Sequence, residues 1–507
     1  MPPKSLSRRD FLKLISVIPA SIAIKSLTSS TPSMQPDRPH VIVLVFDACS
    51  ANNLSLYGYQ RPTTPNLDQF AEKSTVFHRH YSTASFTVPG TASLLTSLYP
   101  WTHRALNLGG SIKAQYQEDQ IFAALSGSHA TVGWAQNTFA DMFLYQAGHF
   151  LQNHIPIGSF NRTKEFIYSL PVFNKDAFLA FSSIEGNIFQ RGQGVDGSLF
   201  LGPLKRFLDL RERKLAETEL GSDYADGLPD SLELFTLSGL VDGAIKTLKE
   251  LAAPSLVYLH FYPPHELYRP TYEFYEQFKT GWQPINKAVH PLSQEKETYG
   301  SLKSTRILYD EYLASWDAEL ARLFEYFDQS GLREKSYILI TSDHGQLFER
   351  GESGHMSSLL YEPIMHVPLI VSRPQDQTHI EVNIPTSSVD VLPTIAHLTG
   401  NPIPTWAEGQ LLPTLGGNED PSRSIYTMDA KTNAAFGPLT KFSISLTKGN
   451  QRLTHYQYPD YNSFEFYDLA KDPEEMTDLY PSKPAAAVAM ESELVQKIAE
   501  INTNSKK

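Results

Sequence analysis

The sequence predicts an α/β fold: a large, mostly parallel sheet sandwiched by helices, followed by a small antiparallel sheet and a closing helix. Three observations carry this. Apolar, β-branched runs of strand length occur at "HVIVLVF" (40–46), "SLVYLHFY" (255–262), "SYILIT" (336–341) and "HVPLIVS" (366–372), the pattern of strands buried on both faces. Segments with helical spacing separate them, the clearest over 306–329, where Leu313, Trp316, Leu320, Leu323, Phe324 and Phe327 recur at threes and fours. Three of the runs end in chemistry, at Asp47, at His265 and at the pair Asp343-His344. Open parallel sheets bind their ligands at that edge.

Taken from the N-terminus, "SRRDFLKLISVIPASIAI" places Arg8, Arg9 and Lys13 before an apolar run that is short for a bilayer span. Its Ser-Arg-Arg-x-Phe-Leu-Lys core resembles the twin-arginine export signal, a route for folded proteins, and implies a periplasmic or extracellular destination in a prokaryote. Residues 1–24 are therefore expected to be a leader, and the Ser/Thr/Pro-rich stretch 25–38 a linker. No later segment is long and apolar enough to span a membrane, so none is expected in the mature chain. The net charge of −12 argues against nucleic acid as a partner, because phosphate contacts need clustered Lys and Arg. One cysteine, Cys49, excludes an intrachain disulfide and is expected to be a small buried side chain.

"SFTVPGTASLLTSLYP" (85–100) opens a helix whose first turn suits Pro89 and whose inner stripe is Leu94, Leu95 and Leu98. Thr87 stands at its mouth. It either caps its own helix or faces a ligand. A helix N-terminus attracts tetrahedral anions, and Gly90 would let one approach the backbone closely. A threonine hydroxyl attacks at neutral pH only when a base or metal activates it. Asp47, Asp343 and His344, with Thr87 oxygen, form a suitable ligand set for a divalent ion, which would lower the pKa of that hydroxyl and polarise a substrate oxygen.

Several segments, in order, resemble the sulfatase branch of the alkaline phosphatase superfamily over residues 40 to 400. "FDACSANNLSLYGYQRPTTPNLDQFA" is similar to its opening and "FTVPGTASLLTSLYPWTH" to its nucleophile signature. "YLHFYPPHELYRP", "TSDHGQLFERGESGHMSSLLYEPIMHVPLIV", "TSSVDVLPTIAHLTGNPIP" and "FYDLAKDPEEMTDLY" are similar to later elements. The departures are specific. Thr87 stands where these enzymes oxidise Cys or Ser to formylglycine, Gly90-Thr91 replace the signature's Ser-Arg, Ala48 replaces a second aspartate, and Pro263 another. Threonine cannot give that aldehyde. Superfamily members with a threonine nucleophile cleave phosphorus esters through a phospho-threonine, so the resemblance implies a metal-dependent ester hydrolase with phosphorus favoured over sulfur.

It further implies that His265 and His355 contact non-bridging oxygens or protonate the leaving group, with His103 and His260 as lesser candidates for substrate binding. One or two ions are expected, of Zn, Mn or Ca. The substrate class is a small-molecule, glycan or lipid-headgroup ester, and the oligomeric state is left open. Within a catalytic region drawn as 39–415, residues of about 150–250 fit the family poorly and are read as a helical insertion. Residues 416–507 are read as the small C-terminal unit. "YRPTYEFYEQFKTGW" (268–282) either lines a headgroup or sugar site or packs. Two other readings stay open: a transferase passing a phosphorylated headgroup to a glycan or lipid, and a non-catalytic binding protein that kept the fold.

Overall fold

The computed structural model describes residues 38–161, 201–230, 234–251 and 254–504. The leader, all of the linker but Arg38, and residues 162–200 of the expected insertion lie outside these. The main sheet has eight strands in the order 380–382, 75–77, 369–372, 336–341, 40–46, 255–261, 130–135, 153–154. His40–Phe46 is central and pairs in parallel with both neighbours, Val41 opposite Leu256 on one side and Tyr337 on the other. Its seven residues are all buried. Ile42, Leu44 and Phe46 enter one core, whereas Val41, Val43 and Val45 enter the other, as the two-residue period of a strand requires. The first core is covered by helices Pro65–Ala71, Leu237–Lys249 and Tyr299–Gln329, and the second by Thr87–Thr96, Thr138–Gln146 and Val391–Leu398. Trp316 of the longest helix packs on Phe46 and Phe261, with ring centres 5.7 and 5.3 Å away.

The expected class is the observed one, with three differences in detail. The run at 366–372 becomes a strand over Leu369–Ser372 that is antiparallel to both neighbours, so its C-terminal end points away from the edge where Asp47 and Asp343 lie. An apolar run carries no sign of direction. Four strands of the main sheet lie outside the predicted runs: Thr75–Phe77, Asn153–His154 and Ile380–Val382 are only two or three residues long, and in Ala130–Ala135 Gly133 and Trp134 interrupt the aliphatic character. Within the segment read as an insertion, Leu237–Lys249 buries Leu237, Leu240, Val241 and Ala244 in the first core, so it belongs to the sandwich.

The C-terminal sheet is an antiparallel meander of Ser424–Asp429, Phe442–Lys448, Gln451–Tyr458 and Tyr461–Asp468. Gly449, at φ +52°, makes the two-residue turn that pairs Lys448 with Gln451. Helix Ala485–Asn504 lays Met490, Leu494 and Ile501 on Phe442, Ile444, Leu446 and Leu453.

Candidate active site

The ends of the parallel strands are stitched together before any ligand is considered. Asp47 continues the ladder of the central strand through its N–H to Phe261 O (3.0 Å). Ser342 Oγ lies 2.6 Å from the carbonyl oxygens of both Phe46 and His344 and accepts from Cys49 N–H at 3.0 Å. These bonds bring Asp47, Asp343 and His344 together, all fully buried. Cys49 is buried beside them, and burial pushes its thiol pKa up.

Thr87 is the first helical residue of Thr87–Thr96, with Phe86 as the extended residue before it, and its side chain does not cap its own helix. Its Oγ1 lies 3.2 Å from His344 Nε2. His344 Nδ1 is 2.9 Å from Gly345 O, and a carbonyl can only accept, so Nδ1 carries a proton and Nε2 is the nitrogen turned to the cluster. That nitrogen faces Asp47 Oδ1 at 3.3 Å and Asp343 Oδ2 at 3.8 Å. His260 Nε2 approaches the same carboxylates from the next strand, 3.5 Å from Asp47 Oδ2 and 3.7 Å from Asp343 Oδ2.

The charges in this cluster do not balance within the protein. Among the described residues no Lys or Arg pairs with Asp47 or Asp343, and Asp47 Oδ1 and His260 Nε2 are buried without a hydrogen-bond partner. Burial by itself would raise the Asp47 carboxyl, yet His265, His260 and His344 hold it well below the usual range. Burial likewise opposes a charge on His344, but Asp343 and Asp47 outweigh it and lift the imidazole to about 9, so that a cation entering the cluster would displace the Nε2 proton to reach the lone pair. Two carboxylates, an imidazole lone pair and a hydroxyl converging on buried, unpartnered atoms fit a divalent cation.

Two residues that sequence reasoning missed complete the wall. Asn137 caps the helix Thr138–Gln146, its Oδ1 accepting from Phe139 N–H (2.9 Å). That bond fixes the amide, so Nδ2 donates to Asp47 Oδ2 (2.6 Å) and reaches Thr87 Oγ1 (3.4 Å). Thr91, one turn along from Thr87, donates to Asp343 Oδ2 at 3.0 Å. Asn137 follows the unread strand Ala130–Ala135; finding that strand would have put an Asn at the same edge as Asp47. Gly90 packs tightly against the strand end. A Cβ there would sit 2.3 Å from Asp343 O, so the helix can approach that carbonyl only with a glycine at this position.

His265 and His355 gather beside this cluster with Glu266. The two rings are 4.6 Å apart, and the His355 ring is also 4.6 Å from that of His344. His265 Nδ1 donates to Glu266 O (2.8 Å), and His355 Nδ1 lies 3.2 Å from Gln346 Oε1 and 3.4 Å from Glu266 Oε2. Glu266 is the most exposed of the group, which marks the open side of the site. His103 is not brought to Thr87. It is fully buried, 3.0 Å from Ser93 Oγ and accepting from Ala105 N–H, and burial lowers its pKa to about 3. Of the aromatic run 268–282, Tyr268 and Phe278 pack inside while Tyr272 and Tyr275 are exposed.

A parallel-sheet sandwich with acids, an imidazole and a helix-borne hydroxyl gathered at its strand ends defines a class of protein that takes its ligand at that edge. Within it, the chain belongs to the sulfatase family: the profile described as Sulfatase matches residues 39–177 and 236–401, and that described as N-sulphoglucosamine sulphohydrolase, C-terminal, matches 351–504. The chain is 26% identical over 233 residues to arylsulfatase K of Bos taurus, covering 42% of each. The match thus spans less than half the length of that relative. It is 24% identical over 481 residues to the multifunctional alkaline phosphatase superfamily protein PehA of Trinickia caryophylli, covering 84% of this chain and 87% of that one. Its fold is similar to the crystal structure of a phosphonate monoester hydrolase of Agrobacterium radiobacter, with a TM-score of 0.62, 17% identity, and 92% and 96% of the two chains covered.

Proposed function

We propose that the protein is a metal-dependent hydrolase in which Thr87 attacks a phosphoester or phosphonate ester, with sulfate esters less favoured. The observation that carries this is the seat of Thr87 Oγ1, 3.2 Å from His344 Nε2 and within reach of Asn137 Nδ2, which also holds Asp47. Asp47, Asp343, His344 and Thr87 would hold the divalent ion, whose chemistry is to lower the pKa of the hydroxyl and polarise an ester oxygen. Thr87 Oγ1 then forms a bond to phosphorus as its proton passes to water and the bond to the leaving oxygen breaks, and His265 or His355 supplies that oxygen with a proton and is recharged from water. Water opens the phospho-threonine, regenerating the hydroxyl. A formylglycine hydrate can shed sulfate by collapsing to its aldehyde. Thr87 has one oxygen on its β-carbon and no such exit, which favours phosphorus.

A second role for the neighbouring histidines has support of its own. His265, Glu266 and His355 form a His₂Glu donor set with ligand atoms within 4.8 Å of one another, a set used by catalytic zinc sites. On this reading the group holds a second ion beside the first. An arylsulfatase and a phosphonate monoester hydrolase among the similar proteins bracket the substrate class. The leader resembling a twin-arginine signal supports export to the periplasm or beyond as a folded protein.

The test is a panel of aryl sulfate, phosphate monoester, phosphodiester and phosphonate monoester substrates on wild type and Thr87→Ala. Turnover is expected to be highest on a phosphorus ester and to fall at least about a hundredfold in the variant. Undiminished turnover in Thr87→Ala would remove Thr87 from the chemistry. A wild-type preference for aryl sulfate would reverse the assignment of phosphorus.

A further inference from the structure

Past the C-terminal end of helix Thr87–Thr96, residues 101–116 meet the loop 434–437 and helix Ala485–Asn504 around a cavity of about 290 Å³. Trp101, Arg104, Lys113, Tyr116, Phe436 and Lys497 line it. Its charges are the unusual feature. Of the described arginines that are buried, Arg61, Arg333, Arg350 and Arg452 each have a carboxylate within 4.0 Å, and Arg104 has none. Only 6% exposed, Arg104 donates Nε to Ala435 O (2.8 Å) and Nη2 to Gly437 O (2.7 Å), while its buried Nη1 has no partner. Burial lowers its pKa with no acid to offset the effect.

Nor do Lys113 and Lys497 pair with a carboxylate within 4.0 Å among the described residues. Lys113 is fixed beside Arg104 through its N–H to His103 O (2.8 Å), and Lys497 Nζ lies over the Trp101 ring, 5.4 Å from its centre. Two acids also line the cavity, their oxygens held by neutral donors: Glu408 accepts from Tyr99 N–H and Thr102 Oγ1, and Glu500 from Gln496. Glu408 lies in the field of Lys497, so the cavity holds one cation more than it holds acids, and it is Arg104, buried beside no acid and with a free Nη1, that calls for an anion from outside. The lip supplies a second kind of contact, since Phe436 is 70% exposed and Tyr116 stands in the same wall.

We propose that this cavity binds a sugar-sized ring bearing an anionic group, the oxyanion seated on Arg104, Lys113 and Lys497 and the ring against Phe436 and Tyr116. Its volume falls near the lower end of small-ligand sites, room for one such ring. The site lies outside the Thr87 cluster and does not depend on the reading of Thr87.

The experiment is lysine acetylation footprinting by mass spectrometry on the full chain and on Thr87→Ala, with glucose 6-sulfate, inorganic sulfate and glucose as probes. Leaving Arg104 intact avoids losing the 434–437 loop. Glucose 6-sulfate is expected to slow labelling of Lys113 and Lys497 in both proteins, glucose to leave it unchanged, and inorganic sulfate to act more weakly. The double variant Lys113→Gln/Lys497→Gln is expected to bind glucose 6-sulfate about tenfold more weakly by calorimetry. Equal protection by inorganic sulfate would overturn the ring contact, and unchanged labelling with every probe would overturn the site.

Discussion

Two clusters of buried carboxylates in this chain are neutralised in opposite ways. In one, Glu362 and Glu475 share Arg452, whose Nη2 and Nη1 bond them at 2.6 and 2.9 Å, and Glu362 N–H adds a bond of 2.8 Å to Glu475 Oε2. This network ties residue 362, beside the main sheet, to strand Gln451–Tyr458 of the C-terminal sheet. The cluster at Asp47 and Asp343 is buried as deeply and has only imidazoles, an amide and hydroxyls around it. Burial penalises both alike, so the difference lies in where the compensating charge originates. A cluster that carries its own arginine holds the protein together. One that lacks a cation is built to receive something.

The comparison breaks most visibly at Arg452. Arg452→Met leaves two carboxylates buried without their cation and is expected to cost about 3–5 kcal/mol in urea unfolding. A cost near zero would mean that water reaches the pair and that the contrast is false. The other cluster is expected to respond to metal instead. Chelation is expected to lower thermal stability and zinc or manganese to restore it, by about 2.7 kcal/mol at a hundred times the dissociation constant. Metal analysis sharpens the point: two ions per chain are expected, falling to one in Glu266→Gln. A wild type holding one ion, with Glu266→Gln still holding one, would remove the second ion and keep the first. If the single ion vanished in Glu266→Gln, the Asp47 site itself would be refuted.

Buried groups that are kept neutral form a third category. His80 and His103 are fully buried, and burial lowers both to about 3 from an ordinary 6.5. The sign follows directly. Unfolded imidazoles take up protons below pH 6.5 while the folded ones do not until about 3, so stability is full above 6.5 and is lost as pH falls between those values. Each histidine is expected to cost about 2 kcal/mol at pH 5 relative to pH 7. Urea midpoints against pH should therefore be less steep in His103→Gln; an unchanged slope would mean that His103 titrates normally.

Much of the fold was legible because the strands are long and apolar on both faces, and three of the four named runs end at the edge that gathers Asp47, His265, Asp343 and His344. What remained hidden was short, shared or relational. Strand Thr75–Phe77 has three residues, too few to display a period, and the direction of Leu369–Ser372 is set by its neighbours. The site was legible where a strand delivers its residue directly. It was illegible where function depends on what a side chain bonds to, as with Glu266 beside two histidines or His103, whose motif position suggested a role that its bond to Ser93 turns inward.

Asn137 carries the smallest and most discriminating prediction, because it belongs to both kinds of interaction at once. Its Oδ1 caps a helix, a local bond worth about 1 kcal/mol, while its Nδ2 holds Asp47 and reaches Thr87. Asn137→Ala removes both, but Asn137→Ser keeps a capping oxygen and loses the reach. Stability is therefore expected to drop by about 1 kcal/mol in the alanine variant and recover in the serine one. Turnover is expected to fall by about 10- to 100-fold in both, in kcat rather than KM, since what is lost is the alignment of Asp47 and the Thr87 hydroxyl. Recovery of turnover along with stability in Asn137→Ser would reduce Asn137 to a helix cap, and the wall of the site would then be set by Thr91 and the strand ends alone.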